Sequence, residues 1–183
     1  MIIKKIIDCC KKNGQILIFE NDGEQWISDG YALYPLLGMP LFEEDTICNV
    51  YDIPAKKAEK MRISFELQLP AEFNFEYETA NERPCIIGEP LFGGITPITT
   101  SHGMEFIQSK YLLPFADSDD GMLYIFERTS ASGRTYFAVK VGFYLVGVIL
   151  PYDCIDESFV RRLREICKQC EITLSNKQAN IKD

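Results

Sequence analysis

The chain predicts an α+β fold: antiparallel β-sheet with amphipathic helices packed on one side. Three features carry that expectation. Residues 123–129, 134–141 and 143–150 are apolar, strand-like runs in succession, separated by Ser130-Ala131-Ser132-Gly133 and by Gly142. Both separators are turn chemistry that folds a run back on its neighbour. Asp22-Gly23, between residues 15–21 and 24–29, is the strongest short-range hairpin signal in the chain. Residues 2–13 and 157–171 carry apolar side chains at helical spacing, so both chain ends offer cover for a sheet.

Within the second run, Phe137, Val139 and Val141 alternate with Tyr136, Ala138 and Lys140, the pattern of a half-buried strand with Lys140 toward solvent. The third run is apolar on both faces and belongs in the middle of the sheet. Pro151 ends it, since proline cannot donate to a ladder.

The remaining elements follow in chain order. In residues 2–13, Ile2, Ile3, Ile6, Ile7 and Cys10 gather on one side while Lys4, Lys5, Lys11 and Lys12 gather on the other; Gly14 ends the helix. Residues 31–37 contain Pro35 and predict a short helix or packed loop, broken by Gly38-Met39-Pro40. Residues 43–50 and 54–61 predict short helices, the second opened by Pro54 and carrying Lys56, Lys57 and Lys60. Residues 63–69 alternate as a strand, and Phe73, Phe75 and Tyr77 alternate in the same manner. Residues 80–102 are rich in Pro, Gly and Thr. They divide a single compact domain, 1–183, into two candidate subdomains, 1–79 and 103–175. Residues 105–114 fit a helix or a strand, and an acidic loop follows at 117–121. Asp156 is placed to cap a helix running to about Glu171. Phe159, Val160, Leu163, Ile166, Cys167 and Cys170 share one face of it, opposite Arg161, Arg162, Arg164 and Lys168. The last ten or so residues are polar and predict a frayed end.

With 183 residues, 46% of them hydrophobic, the chain can bury a substantial core. Its net charge of −8 is uneven: residues 1–62 sum to −2, residues 63–128 to −8 and residues 129–183 to +2. An acidic total opposes indiscriminate nucleic-acid binding, yet a local basic face still attracts phosphate. Seven cysteines, with no signal peptide and an adjacent Cys9-Cys10 pair, point to a reducing cytoplasm instead of a disulfide framework. No apolar run approaches the ~18 residues of a membrane-spanning helix, so no membrane partner is expected.

Motifs for chemistry are weak. Cys167-Lys-Gln-Cys170 sits near a helix C-terminus, where the dipole raises thiol pKa values, so both thiols are expected as packed core groups. A zinc site joining them to Cys9 and Cys10 is disfavoured because those two point about 100° apart on their helix. His102 is the single histidine, with no nucleophile signature around it, and reads as a surface-loop residue. Asp117-Ser-Asp-Asp-Gly121 lacks calcium-loop spacing, since the twelfth position is Arg128 instead of Glu. Residues 88–94 contain glycines but no phosphate-loop pattern. No catalytic, cofactor or metal residues are therefore assigned. What stands out is charge placement: most basic residues lie in helical segments. Lys4, Lys5, Lys11, Lys12, Arg161, Arg162, Arg164 and Lys168 are the candidate contacts for duplex DNA.

Two segments carry a resemblance. Trp26-Ile-Ser-Asp-Gly-Tyr-Ala-Leu33 resembles the strand-to-turn segment of repeat-built DNA sliding clamps. Ala138-Val-Lys-Val-Gly-Phe-Tyr-Leu-Val-Gly-Val-Ile-Leu-Pro151 resembles their closing strands. The whole chain also looks similar to small phage and prophage proteins. The clamp resemblance implies basic helices backed by antiparallel sheet, a DNA-associated role without catalysis, and self-assembly into a ring. A small cytoplasmic enzyme built on His102 or the cysteines, and a structural assembly protein, are the competing classes.

Overall fold

The computed structural model describes residues 1–21, 23–91, 94–116 and 123–179. The chain forms two compact units, residues 1–152 and 153–183. In the first, helix α1 (Ile3–Asn13) leads into strands β1 (Gln15–Asn21), β2 (Glu24–Ser28) and β3 (Ala32–Pro35). Short helices α2 (Glu44–Val50) and α3 (Ala55–Ala58) precede β4 (Arg62–Gln68), with β5 (Arg83–Pro84) and β6 (Ile86–Ile87) beyond it. The hairpin β7 (Ile95–Thr100) and β8 (Gly103–Gln108) is followed by two 3-10 turns, Ser109–Tyr111 and Leu113–Phe115. The unit closes with β9 (Leu123–Thr129), β10 (Thr135–Val141) and β11 (Tyr144–Ile149).

Eight strands form one sheet in the order β4-β1-β2-β3-β11-β10-β9-β5, and β6-β7-β8 form a second. Every pairing is antiparallel except that of β1 with β4, so the α+β expectation holds. The large sheet consists of two meanders, β1-β2-β3 and β9-β10-β11. They meet antiparallel where Leu33 faces Val148 and Ala32 faces Ile149. Each meander follows a helical segment, α1 in one case and the 3-10 turns in the other. Each carries one further strand on its outer edge.

Both hairpin expectations around Gly133 and Gly142 hold: Thr129 faces Thr135, and Val141 faces Tyr144 across a two-residue turn. Gly142 has φ 60°, a conformation costly for residues with a Cβ. The hairpin of β1 and β2 pairs Asn21 with Glu24; of its turn, Asp22 lies outside the described residues. Residues 80–102 supply β5 to the large sheet, and β6 and β7 to the small one.

The large sheet is buried on both faces. On one, Ile6, Ile7 and Cys10 of α1 pack with Ile16, Ile18, Ile27, Phe137 and Ile149. On the other, Phe19, Trp26, Leu33, Tyr136, Ala138 and Val148 pack beneath Leu69, Phe73 and Phe75. The alternation of Phe73 and Phe75 predicts a strand, but these residues are irregular. Their rings stand 4.9 Å from Tyr136 and 5.0 Å from Trp26. Asn74 accounts for this: its side chain accepts from the Glu76 N–H at 2.7 Å, a local bond that competes with a ladder.

Residues 31–37 also differ from expectation, forming β3 with Pro35 inside it. Leu36 N–H donates to Gln25 on the β2 side at 2.8 Å, so the Pro35 nitrogen faces the β11 side. There β11 pairs only Ala32 and Leu33, and no donor is missed. Residues 105–114 resolve into β8 followed by the 3-10 turns.

The second unit is built on α4 (Glu157–Ala179). Asp156 caps it as expected, its Oδ1 accepting from Phe159 N–H at 2.6 Å. The helix does not stop near Glu171. Thr173 and Ser175 hydroxyls bond back to Gln169 and Glu171 carbonyls, so these polar residues remain compatible with a helix. A second correction concerns Cys167 and Cys170, which are exposed instead of packed. Within the first unit, helical cover on one side of the sheet comes from α1 and, through Ile47, from α2. No described helix is long and apolar enough to cross a membrane.

Candidate functional site

The basic face of α1 is set by what its other face buries. Ile6, Ile7 and Cys10 are sealed in the core, which turns Lys4, Lys5 and Lys12 outward, where all three are exposed. Lys11 is diverted: half-buried, it donates to the Tyr51 carbonyl at 2.6 Å, at the end of α2. The N-terminal turn is fixed by Ile2 N–H on the Pro114 carbonyl at 2.7 Å.

A buried carboxylate anchors the other end of α1. Asp29 is 1% exposed, and its Oδ2 accepts from Asn13 Nδ2 at 2.7 Å. Its Oδ1 accepts from the N–H groups of Tyr31 and Ala32 at 3.0 and 3.1 Å. Lys110 donates to Asn13 Oδ1 at 3.0 Å and lies 4.8 Å above the Tyr111 ring. The Asp29-Gly30 pair is therefore a structural joint between α1, the β2–β3 turn and the 3-10 turns. Beside it, burial pushes the Cys9 and Cys10 thiols up, and the Asp29 charge adds to the effect. Both are poor nucleophiles at neutral pH.

In the second unit Arg161, Arg162, Arg164 and Lys168 are all exposed. The eight candidate DNA contacts thus fall into two sets on different units, four on α1 and four on α4.

Sequence reasoning missed a polar cluster at the β5–β9 end of the large sheet. A cavity of about 280 Å³ is lined by Glu82, Arg83, Ser101, His102 and Glu127 among others. Glu127 is 5% exposed, and its Oε2 accepts from Ser101 N–H at 3.1 Å and Ser101 Oγ–H at 2.9 Å. Arg83 donates to the same hydroxyl at 2.9 Å. His102 Nε2 stands 3.9 Å from Glu127 Oε1 with the ring 75% exposed, as a surface loop implies. A hydrolytic triad requires the imidazole between hydroxyl and carboxylate. Here the carboxylate accepts the serine hydroxyl's hydrogen bond directly, and the histidine sits beside it. This arrangement docks the β7–β8 turn on β9.

Next to it lies an ion triad in which two buried cations meet the half-buried Glu82. Arg128, 2% exposed at its side chain, donates through Nε and Nη2 to Glu82 Oε2 at 3.1 and 2.6 Å. Lys140 Nζ donates to Glu82 Oε1 at 2.5 Å and stacks 4.6 Å above the Phe126 ring. The solvent-facing position expected for Lys140 is therefore wrong. The residue is 3% exposed because the far face of the sheet is covered. Burial pushes the Glu82 carboxyl up, but hydrogen bonds and charge from Lys140 and Arg128 outweigh it and hold the group below its ordinary range. A carboxyl with a lowered folded-state pKa stabilises above the unfolded value, about 4.5, and loses that contribution as pH falls through the folded value. Urea melts should therefore show stability falling below about pH 4.5, and Glu82→Gln should flatten that part of the profile. An unchanged acid limb in the variant would assign it to other carboxylates.

Among the described residues no group of His, Cys, Asp and Glu is placed to hold a metal ion. The acidic loop 117–121 lies outside the described residues. No family model, curated protein or solved structure matches the chain.

Proposed function

We propose that this chain is a non-enzymatic interaction protein with a clamp-like, DNA-associated role. The supporting observation is the build of the first unit. Two β-meanders, each following a helical segment, join antiparallel at β3 and β11, and α1 lies on one face with three lysines outward. That is a repeat-like arrangement of helix backed by antiparallel sheet, the architecture implied by the clamp-like segments. The second repeat keeps only 3-10 turns where the first has α1, and contributes a single lysine, Lys110. Strong acidity in residues 63–128 confines attraction for phosphate to the helices.

The reading is tested by duplex binding across a salt series. Contact with four phosphates gives a slope of log K against log salt near −3.6, from about −0.9 per phosphate. Binding should be indifferent to sequence, because contacts to phosphate carry no base information. Reversing Lys4, Lys5 and Lys12 to Glu should abolish it while leaving the melting temperature nearly unchanged, since all three are exposed. No detectable binding at low salt overturns the DNA role. A clamp further requires a closed ring of copies, read from solution mass.

A further inference from the structure

The apolar face of α4, half-buried at Val160 and exposed from Leu163 onward, has a regular seam. Val160, Leu163, Cys167, Cys170, Leu174 and Lys177 follow one another at spacings of three, four, three, four and three residues, the a and d positions of a heptad repeat. Leu163 is 40% exposed and Leu174 56%, with Ile166 alongside at 50%. We propose that α4 pairs antiparallel with α4 of a second copy of this chain. The inference does not rest on the DNA reading.

The charges select both the occupant and the direction. In an antiparallel pair, a residues layer against d residues of the other helix. One register places Leu163 on the partner's Leu174 and Cys167 on the partner's Cys170, each layer occurring twice by symmetry. Val160 then meets the partner's Lys177, whose stem covers the valine while its ammonium reaches water at the helix end. The same register puts the flanking e residues face to face. Arg164 meets the partner's Glu171, and Glu171 meets the partner's Arg164. Neither residue makes an ion pair among the described residues. A parallel pair has none of this. Lys177 would face its own copy in the seam, and the e residues would lie against Phe159 and Ile166. Antiparallel packing also sets the arginine-rich N-terminal half of each helix beside the partner's C-terminal half, where the dipole favours cations. A membrane surface fits less well, because Glu157, Glu165 and Glu171 interleave the basic residues.

The contact is isologous and closes at two chains. Any larger ring requires a second interface elsewhere. Light scattering on the full chain across a concentration series should therefore show a dimer that Leu163→Glu converts to monomer without changing the melting temperature of the first unit. Arg164→Glu and Glu171→Arg should each weaken the dimer about tenfold, by turning two attractions into repulsions. The double exchange Arg164→Glu with Glu171→Arg should restore it, which separates pairing from damage to the helix. A chain monomeric at every concentration overturns the proposal, whether or not it partitions onto anionic phosphatidylserine vesicles. An assembly whose mass is unchanged by Leu163→Glu overturns it by placing the contact elsewhere. A dimer lost on Leu163→Glu but blind to the charge exchanges overturns the antiparallel register. The lysines of the DNA test lie on α1, so either result stands without the other.

Discussion

Arg128→Ala should destabilise the protein by about 3–5 kcal/mol in urea melts, the loss typical of breaking a buried ion pair from one side. The guanidinium has two roles in the structure. It neutralises Glu82 through two hydrogen bonds. It also donates to the carbonyls of Asn74 and Tyr77, at 2.9 and 3.3 Å, pinning the loop whose Phe73 and Phe75 cover the sheet. Removing it leaves Glu82 with Lys140 alone, takes the donor from the Tyr77 carbonyl and leaves the Asn74 carbonyl with only the Tyr136 hydroxyl at 3.4 Å. Lys140→Ala should cost less, about 1.5–3 kcal/mol, because Arg128 still holds the carboxylate. Exchanging Glu82, Arg128 and Lys140 together for Leu, Met and Leu should cost less than Arg128→Ala alone, since no charge is then stranded. A loss under ~1 kcal/mol for Arg128→Ala would mean that water reaches the triad and that the loop stands without it.

That triad marks where sequence reading ends. Lys140 lies on an alternating position of β10, and alternation says only that its face differs from that of Phe137 and Val139. Whether the second face meets water depends on Phe73 and Phe75, more than sixty positions away in an irregular loop. Arg128 and Lys140 inside apolar strands do hint at a buried counter-charge. Nothing local nominates Glu82, which is 46 and 58 residues distant. By contrast the hairpins at Gly133 and Gly142 and the helix α1 were legible, because each depends on contacts between near neighbours.

The candidate site divides along the same line. The outward direction of Lys4, Lys5 and Lys12 follows from the period of α1, and the structure agrees. The capture of Lys11 by Tyr51 depends on where α2 ends, so no periodicity shows it. His102 reads correctly as exposed, but the Ser101–Glu127 joint beside it is a contact over 26 residues between two sheets. For α4, amphipathicity reveals an apolar face without revealing what covers it. Within the first unit, Phe73 and Phe75 cover one side of the sheet, and α1 covers the other.

Ile149→Ala should cost about 2–5 kcal/mol, the range for removing a large aliphatic side chain from a core that collapses only partly. Ile149 is fully buried and sits where the two meanders join, opposite Ala32 on β3 and Phe137 on β10. It packs in the cluster that includes Ile6 and Ile7 of α1, whereas Val148 belongs to the opposite cluster. Sequence alternation alone does not keep that phase along β11. The register slips near Val146 and Gly147, so Leu145 and Val148 share a face although three residues separate them. Gly147 permits the slip at a crowded point: a Cβ there would lie 3.1 Å from the Phe115 ring and 3.3 Å from the Leu33 carbonyl. The neighbours of Ile149 are therefore held by backbone on one side and by α1 on the other, and a cavity at this position has little room to close. Phe143→Ala is the control. That ring is 81% exposed in the adjoining turn, and its loss should cost under ~0.5 kcal/mol. Equal losses for the two variants in urea melts would place the joint between the meanders outside the core and undo the assignment of faces along β11.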